Sequence, residues 1–139
     1  MRRWRRRGGS KMRTAALIKG RHTLVAHVAI ASQWGSRARG LLGTRRLPPG
    51  HGLYLVPCRA IHTCFMRYAL DLIFLDAEQQ VVSLVLDVRP WRMVRGGHRA
   101  RAVLEMQSGW FPRDILAPGD QVAFAFHEAS GSFFDRTAP

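Results

Sequence analysis

The run from Pro57 to Asp76 sets two cysteines, a histidine, a methionine and two aspartates into otherwise apolar sequence. Three kinds of chemistry could use it. Cys58, His62 and Cys64 form a C-x3-H-x-C spacing. On an extended strand His62 and Cys64 share a face about 6.6 Å apart along the chain, which two ligands can close around one borderline ion. Asp71 or Glu105 would complete the sphere. No C-x-x-C pair or H-E-x-x-H helix accompanies them, and cysteine buries readily as a small hydrophobe, so no metal and no cofactor is expected.

The second chemistry is acid–base or hydrolytic. An imidazole with an unperturbed pKa of about 6.5 suits proton transfer. His62, Asp71 and Glu105 are the catalytic candidates, with Cys64, Cys58 or Thr63 as nucleophile. No nucleophile elbow and no glycine-rich loop supports that set, and a plainer role for His62 is donation to a backbone carbonyl inside a sheet. The third is recognition. Arg39, Thr63, Cys64, Arg67 and Asp76 are the ligand-binding candidates, with Arg59 near them and Asp71, Asp76 and Glu105 as partners for the guanidinium groups. Such a cleft suits an anionic small molecule, a peptide or a protein partner. The structural alternatives are an Arg39–Asp71 pair tying helix to sheet and Asp76 capping a hairpin turn.

The net charge of +13 belongs to one half of the chain. Nine of the 22 basic residues fall within the first 21 positions, and no carboxylate precedes Asp71. From Asp71 onward seven arginines face nine carboxylates. Nucleic-acid binding is therefore expected only through residues 1–21, where clustered arginine and Trp4 could contact phosphates and bases. Met12 is an alternative start that would remove the cluster. No continuous apolar segment follows the basic residues, which argues against an export signal. No stretch reaches the 18 apolar residues of a membrane span, and Leu24–Ala31 is interrupted by His27. Two cysteines do not make a disulfide framework, so reduced thiols in a cytoplasmic protein are expected.

A chain of 139 residues fits one domain. The expected division is a disordered basic arm over 1–21, a single domain over 22–126 and a tail over 127–139. Alternation predicts strands over 22–31, 52–56, 61–67, 72–75, 81–88, 102–106 and 121–126, the last with Val122, Phe124 and Phe126 inward. Gln33–Leu42 reads as a short helix between a Ser32 cap and Gly43. Trp34, Trp91 and Trp110 are expected as packing anchors at element ends, and His22, His27, His51, His98 and His127 as isolated. Short strands with one short helix imply a mainly β (α+β), compact, barrel-like domain.

Arg39-Gly40-Leu41-Leu42, Ile61-His62-Thr63 with Phe65-Met66-Arg67, Asp71–Asp76, Arg89-Pro90-Trp91-Arg92, Val103-Leu104-Glu105 and Gly119-Asp120 occur in this order. In this the chain resembles the family called domain of unknown function 192, over about residues 22 to 125. The resemblance implies a compact, mainly β single domain and no particular reaction. Where members often carry a proline before the aspartate matching Asp71, this chain has Ala69-Leu70. The sequence alone leads to a small binding or accessory domain. A hydrolase-like or metal-dependent enzyme centred on His62 and nucleic-acid binding through the arm are the alternatives.

Overall fold

Alternating apolar residues and well-placed turns build nine strands in the computed structural model, which describes residues 13–31, 47–64 and 66–127. They are β1 (Arg13–Lys19), β2 (His22–Ala31), β3 (His51–Leu55), β4 (Ala60–His62), β5 (Leu70–Leu75), β6 (Val81–Val88), β7 (Met93–Arg95), β8 (Ala102–Gln107) and β9 (Ala123–Phe126). Seven form one sheet in the order β6-β5-β8-β3-β2-β1-β9, and β4 with β7 forms a separate two-stranded ribbon. All pairings are antiparallel except β2 with β3.

The large sheet has one core on each face. The first gathers residues from all seven of its strands, among them Leu17, Val28, Tyr54, Leu104, Ile73, Val81 and Phe124, so the sheet curls around it. The second lies on the other face and gathers Leu53, Leu55, Leu70, Leu72, Phe74 and Val103, with Ile61 and Val94 of the ribbon packed onto it. Because side chains alternate along a strand, the continuous apolar run Leu72-Ile73-Phe74-Leu75 serves both cores at once. That is why β5 is buried along its whole length.

The ribbon closes down at Gly96. A Cβ there would run into the ring of Phe74 and come within 2.8 Å of the Ala100 Cβ, so only glycine lets the chain leave β7 this close to β5.

Several expectations change. The domain is mainly β, as expected, but the sheet is open rather than a closed barrel. The end strands β6 and β9 do not pair; the gap is spanned by the Gln80–Gln121 bridge, by neighbouring backbone bonds such as Val122 N–H to the Gln79 carbonyl, and by the Gln121 side-chain amide donating to the Glu78 carbonyl. The basic arm does not extend to residue 21: Arg13–Lys19 is a strand, because Ala15, Ala16 and Leu17 bury between β2 and β9. The strand expected over 61–67 stops at His62, where Thr63 turns the chain. Phe126 is 49% exposed at the free end of β9 rather than inward, although Val122 is buried and Phe124 packs on the core. The described residues contain no helix, and the helix expected over 33–42 lies outside them. Among the described residues no helix is long and apolar enough to cross a membrane.

Candidate functional site

Thr63 is fully buried directly after β4, and it ties the ribbon together. Its hydroxyl donates to the Arg89 carbonyl at 2.7 Å and accepts from the Arg92 N–H at 2.8 Å. Its backbone N–H donates to the Arg92 carbonyl at 2.8 Å, and its carbonyl accepts from Trp91 and Met66 at 3.0 and 3.2 Å. The motifs Ile61-His62-Thr63 and Arg89-Pro90-Trp91-Arg92 are thus two halves of one junction. It holds Trp91 at a φ of 65°, a left-handed conformation that disfavours any side chain.

The carboxylates separate. Asp71 pairs with Met106, a member of the first core, so it projects to that face. Glu105 pairs with Leu72 and Leu53, both in the second core, so it projects to the other. Both are buried, at 3% and 4% exposure. Asp71 accepts the Asp87 N–H at 2.8 Å, at a register shift where Asp87 takes a φ of 57°. Asp76 accepts the N–H groups of Glu78 and Gln80, both at 2.9 Å, and closes the β5–β6 turn. An open depression lined by Asp76, Glu78, Gln80, Arg99 and Arg101 adjoins that turn.

His62 is half-buried and lies opposite Met93, so the two share the ribbon face turned away from Ile61 and the second core. Asp71 and Glu105 lie on opposite sides of the sheet, so His62, Asp71 and Glu105 do not meet as one catalytic cluster. Cys58 and Cys64 are half-buried; the Cys58 thiol donates to the Ala60 carbonyl at 3.2 Å. Among the described residues no three His, Cys, Asp or Glu side chains group as metal ligands, so Cys58, His62 and Cys64 do not converge in the way their spacing suggested. Arg67 is exposed just past the Thr63 turn. Arg39 lies outside the described residues.

Two features escaped the sequence. Trp91 is 60% exposed and Met93 69% exposed, where an anchor was expected at Trp91. Trp110 does anchor, edge-on to Phe111 at 5.9 Å between centroids and against the first core. The segments that form and flank the ribbon carry Arg59, Arg67, Arg89, Arg92 and Arg95, all exposed, and no carboxylate occurs within 57–67 or 89–101. None of the five forms an ion pair with a described residue; the ion pair among those residues is Lys19–Asp120, at 2.7 Å. Asp87, the nearest carboxylate along the chain, accepts from the Ser108 hydroxyl. The sequence signal for this feature is the absence of any acid from two arginine-bearing segments, 57–67 and 89–101. The second feature is a histidine cluster. β2 and β3 bring His27 and His51 to 4.7 Å between ring centroids, and His127 stands 6.1 Å from His27.

Fold and site together define a small, mainly β domain with an open curled sheet, roofed on its second core by a ribbon that displays arginine and tryptophan. The chain belongs to the family of domain of unknown function 192, described as Uncharacterized ACR, whose model matches residues 16–124. A UPF0127 protein of Pyrococcus abyssi is 37% identical over 101 residues, covering 68% of this chain and 83% of its own length. Two crystal structures share the fold. A protein from Sinorhizobium meliloti, described provisionally as a transcription regulator, superposes with a TM-score of 0.67 at 20% identity, covering 84% of this chain and 98% of its own. A protein of unknown function from Novosphingobium aromaticivorans gives a TM-score of 0.62 at 23% identity, covering 81% and 83%.

Proposed function

We propose that this chain is a small binding domain that receives an anionic group at the β4–β7 ribbon. The observation that carries this is the set of exposed arginines, Arg59, Arg67, Arg89, Arg92 and Arg95, on two segments without a carboxylate. Clustered guanidinium groups raise the local positive potential and offer planar pairs of donors to carboxylate or phosphate. Thr63 serves as the positioning residue, since its hydrogen bonds hold Arg89 and Arg92 in place. His62, Cys64 and Arg67 adjoin the same junction and stand as ligand-side candidates.

The test is titration of the full chain with inorganic polyphosphate and with an acidic decapeptide at low ionic strength. Saturable binding is expected, weakened by salt and reduced at least about tenfold when Arg92 and Arg95 are both replaced by glutamine. The absence of saturable binding to either probe would overturn the proposal, as would indifference to the double substitution.

A further inference from the structure

We infer that His27 and His51 form a surface site for a borderline divalent transition-metal ion, with two imidazole ligands and water in the remaining positions. The pair arises from strand register. β2 and β3 run parallel, and His27 aligns with His51 two residues before Ala29 aligns with Leu53. Since alternate residues share a face, the imidazoles continue the row of Ala29 and Leu53 past the second core and out to the surface. There His27 is exposed and His51 half-buried. The turn before β3 fixes the second ring in place. The His51 N–H donates to the Pro48 carbonyl at 3.1 Å and the His27 N–H to the Gly50 carbonyl at 2.9 Å, with Gly50 at a φ of 81°.

The spacing suits a shared ion. A nitrogen ligand lies about 2.0–2.1 Å from such an ion, which puts the centre of its imidazole about 3.2 Å away. Two rings bound at angles between square and tetrahedral then have centres about 4.5–5.2 Å apart. His27 and His51 stand at 4.7 Å, inside that window. The protonation of one ring suits it too. His51 Nδ1 faces the Pro49 carbonyl at 3.3 Å. A carbonyl only accepts, so Nδ1 carries the proton and Nε2 keeps the lone pair that a metal needs. Such a carbonyl behind the ring is the usual outer support of a metal-bound histidine. Imidazole nitrogen selects nickel, copper or zinc over magnesium and calcium, which take oxygen ligands. His127 does not join the pair. Its ring centre lies 6.1 Å from that of His27, beyond the window, and its Nε2–H donates to the Ala26 carbonyl at 3.2 Å. Two protein ligands, not three, agree with the lack of a three-residue metal group among the described residues.

The experiment is calorimetric titration of the full chain with Ni²⁺ alone, in a non-coordinating buffer at about pH 7.5, where an ordinary imidazole is neutral. One equivalent should bind at this pair, and Mg²⁺ should not bind there. His27→Ala and His51→Ala should each weaken Ni²⁺ binding at least about tenfold. The double substitution should cost little more than either, because one imidazole no longer chelates. His98→Ala, at an exposed loop histidine, should change nothing, and His127→Ala should lose less than His27→Ala. Ni²⁺ should also raise the thermal midpoint of the wild type and not that of the double variant, whose circular dichroism checks that it folds. No stoichiometric Ni²⁺ binding, or undiminished binding in the double variant, overturns the inference. A loss in His98→Ala equal to that in His27→Ala would place the ion elsewhere and overturn it as well, and an equal loss in His127→Ala would overturn the two-ligand assignment. None of these outcomes bears on anion binding at the ribbon.

Discussion

Replacing Thr63 by valine keeps the side-chain shape and removes one hydroxyl, which makes it a sharp probe of the junction that holds the ribbon. The hydroxyl gives a hydrogen bond to the Arg89 carbonyl at 2.7 Å and takes one from the Arg92 N–H at 2.8 Å, inside a residue with no exposed surface. Each bond contributes about 1 kcal/mol net, and leaving the backbone groups incompletely hydrated adds to that, so a loss of about 2–3 kcal/mol is expected. Thr63→Ser keeps the hydroxyl and removes a buried methyl, a loss of about 1 kcal/mol. The expected stability order is therefore wild type, then serine, then valine, the reverse of the order for the two variants that burial of apolar surface alone would give. Urea unfolding monitored by far-ultraviolet circular dichroism measures this through the midpoint at constant slope. A valine variant as stable as the serine variant, or more stable, would refute the reasoning and reduce Thr63 to a space-filling residue.

Three further outcomes are expected. Asp71→Ala should destabilise by about 2 kcal/mol by leaving the Asp87 N–H without its acceptor, whereas Asp71→Asn, which keeps an acceptor oxygen, should stay within about 1 kcal/mol; chemical denaturation of the pair checks it, and equal losses would show that charge matters more than the bond. Gly96→Ala should cost about 2 kcal/mol through collision with Phe74 and Ala100, and Phe74→Leu in the same chain should recover part of that, read as coupling in a double-mutant cycle. The Asp120 carboxyl is held below its ordinary 3.8 by the Lys19 ammonium and the Ala117 N–H. Its contribution to stability is therefore complete above the unfolded-state value and is lost as the pH falls through the lower folded-state value. The thermal midpoint difference between wild type and Asp120→Asn should be flat from pH 7 to about pH 5 and shrink below about pH 4; a difference constant down to pH 2 would contradict the assignment.

What could be read without coordinates was local. The β5–β6 hairpin follows from the apolar run ending at Asp76 and the polar turn after it, and the Asp76 carboxylate caps backbone groups only two and four residues away. The β6 bounds, Val81–Val88, match the alternation expected there. The failures were non-local. Extended backbone from Ile61 to Arg67 satisfied every local rule, yet it ends at His62 because Thr63 bonds to backbone 26 and 29 residues away. His27, His51 and His127 looked isolated until strand pairing set them side by side. Trp91 looked like an anchor because tryptophan usually buries, and nothing near it in sequence reports a left-handed φ.

The sequence by itself determined that this is a mainly β, single-domain member of its family, because alternation, turn residues and ordered motifs are properties of neighbouring positions. Only the tertiary structure decided which groups can act together. A side chain's face depends on strand register, and one position separates Asp71, aligned with Met106, from Glu105, aligned with Leu72. That one-position difference sends the two carboxylates to opposite cores, while the ribbon folds its own apolar residues inward and leaves tryptophan, methionine and arginine facing outward.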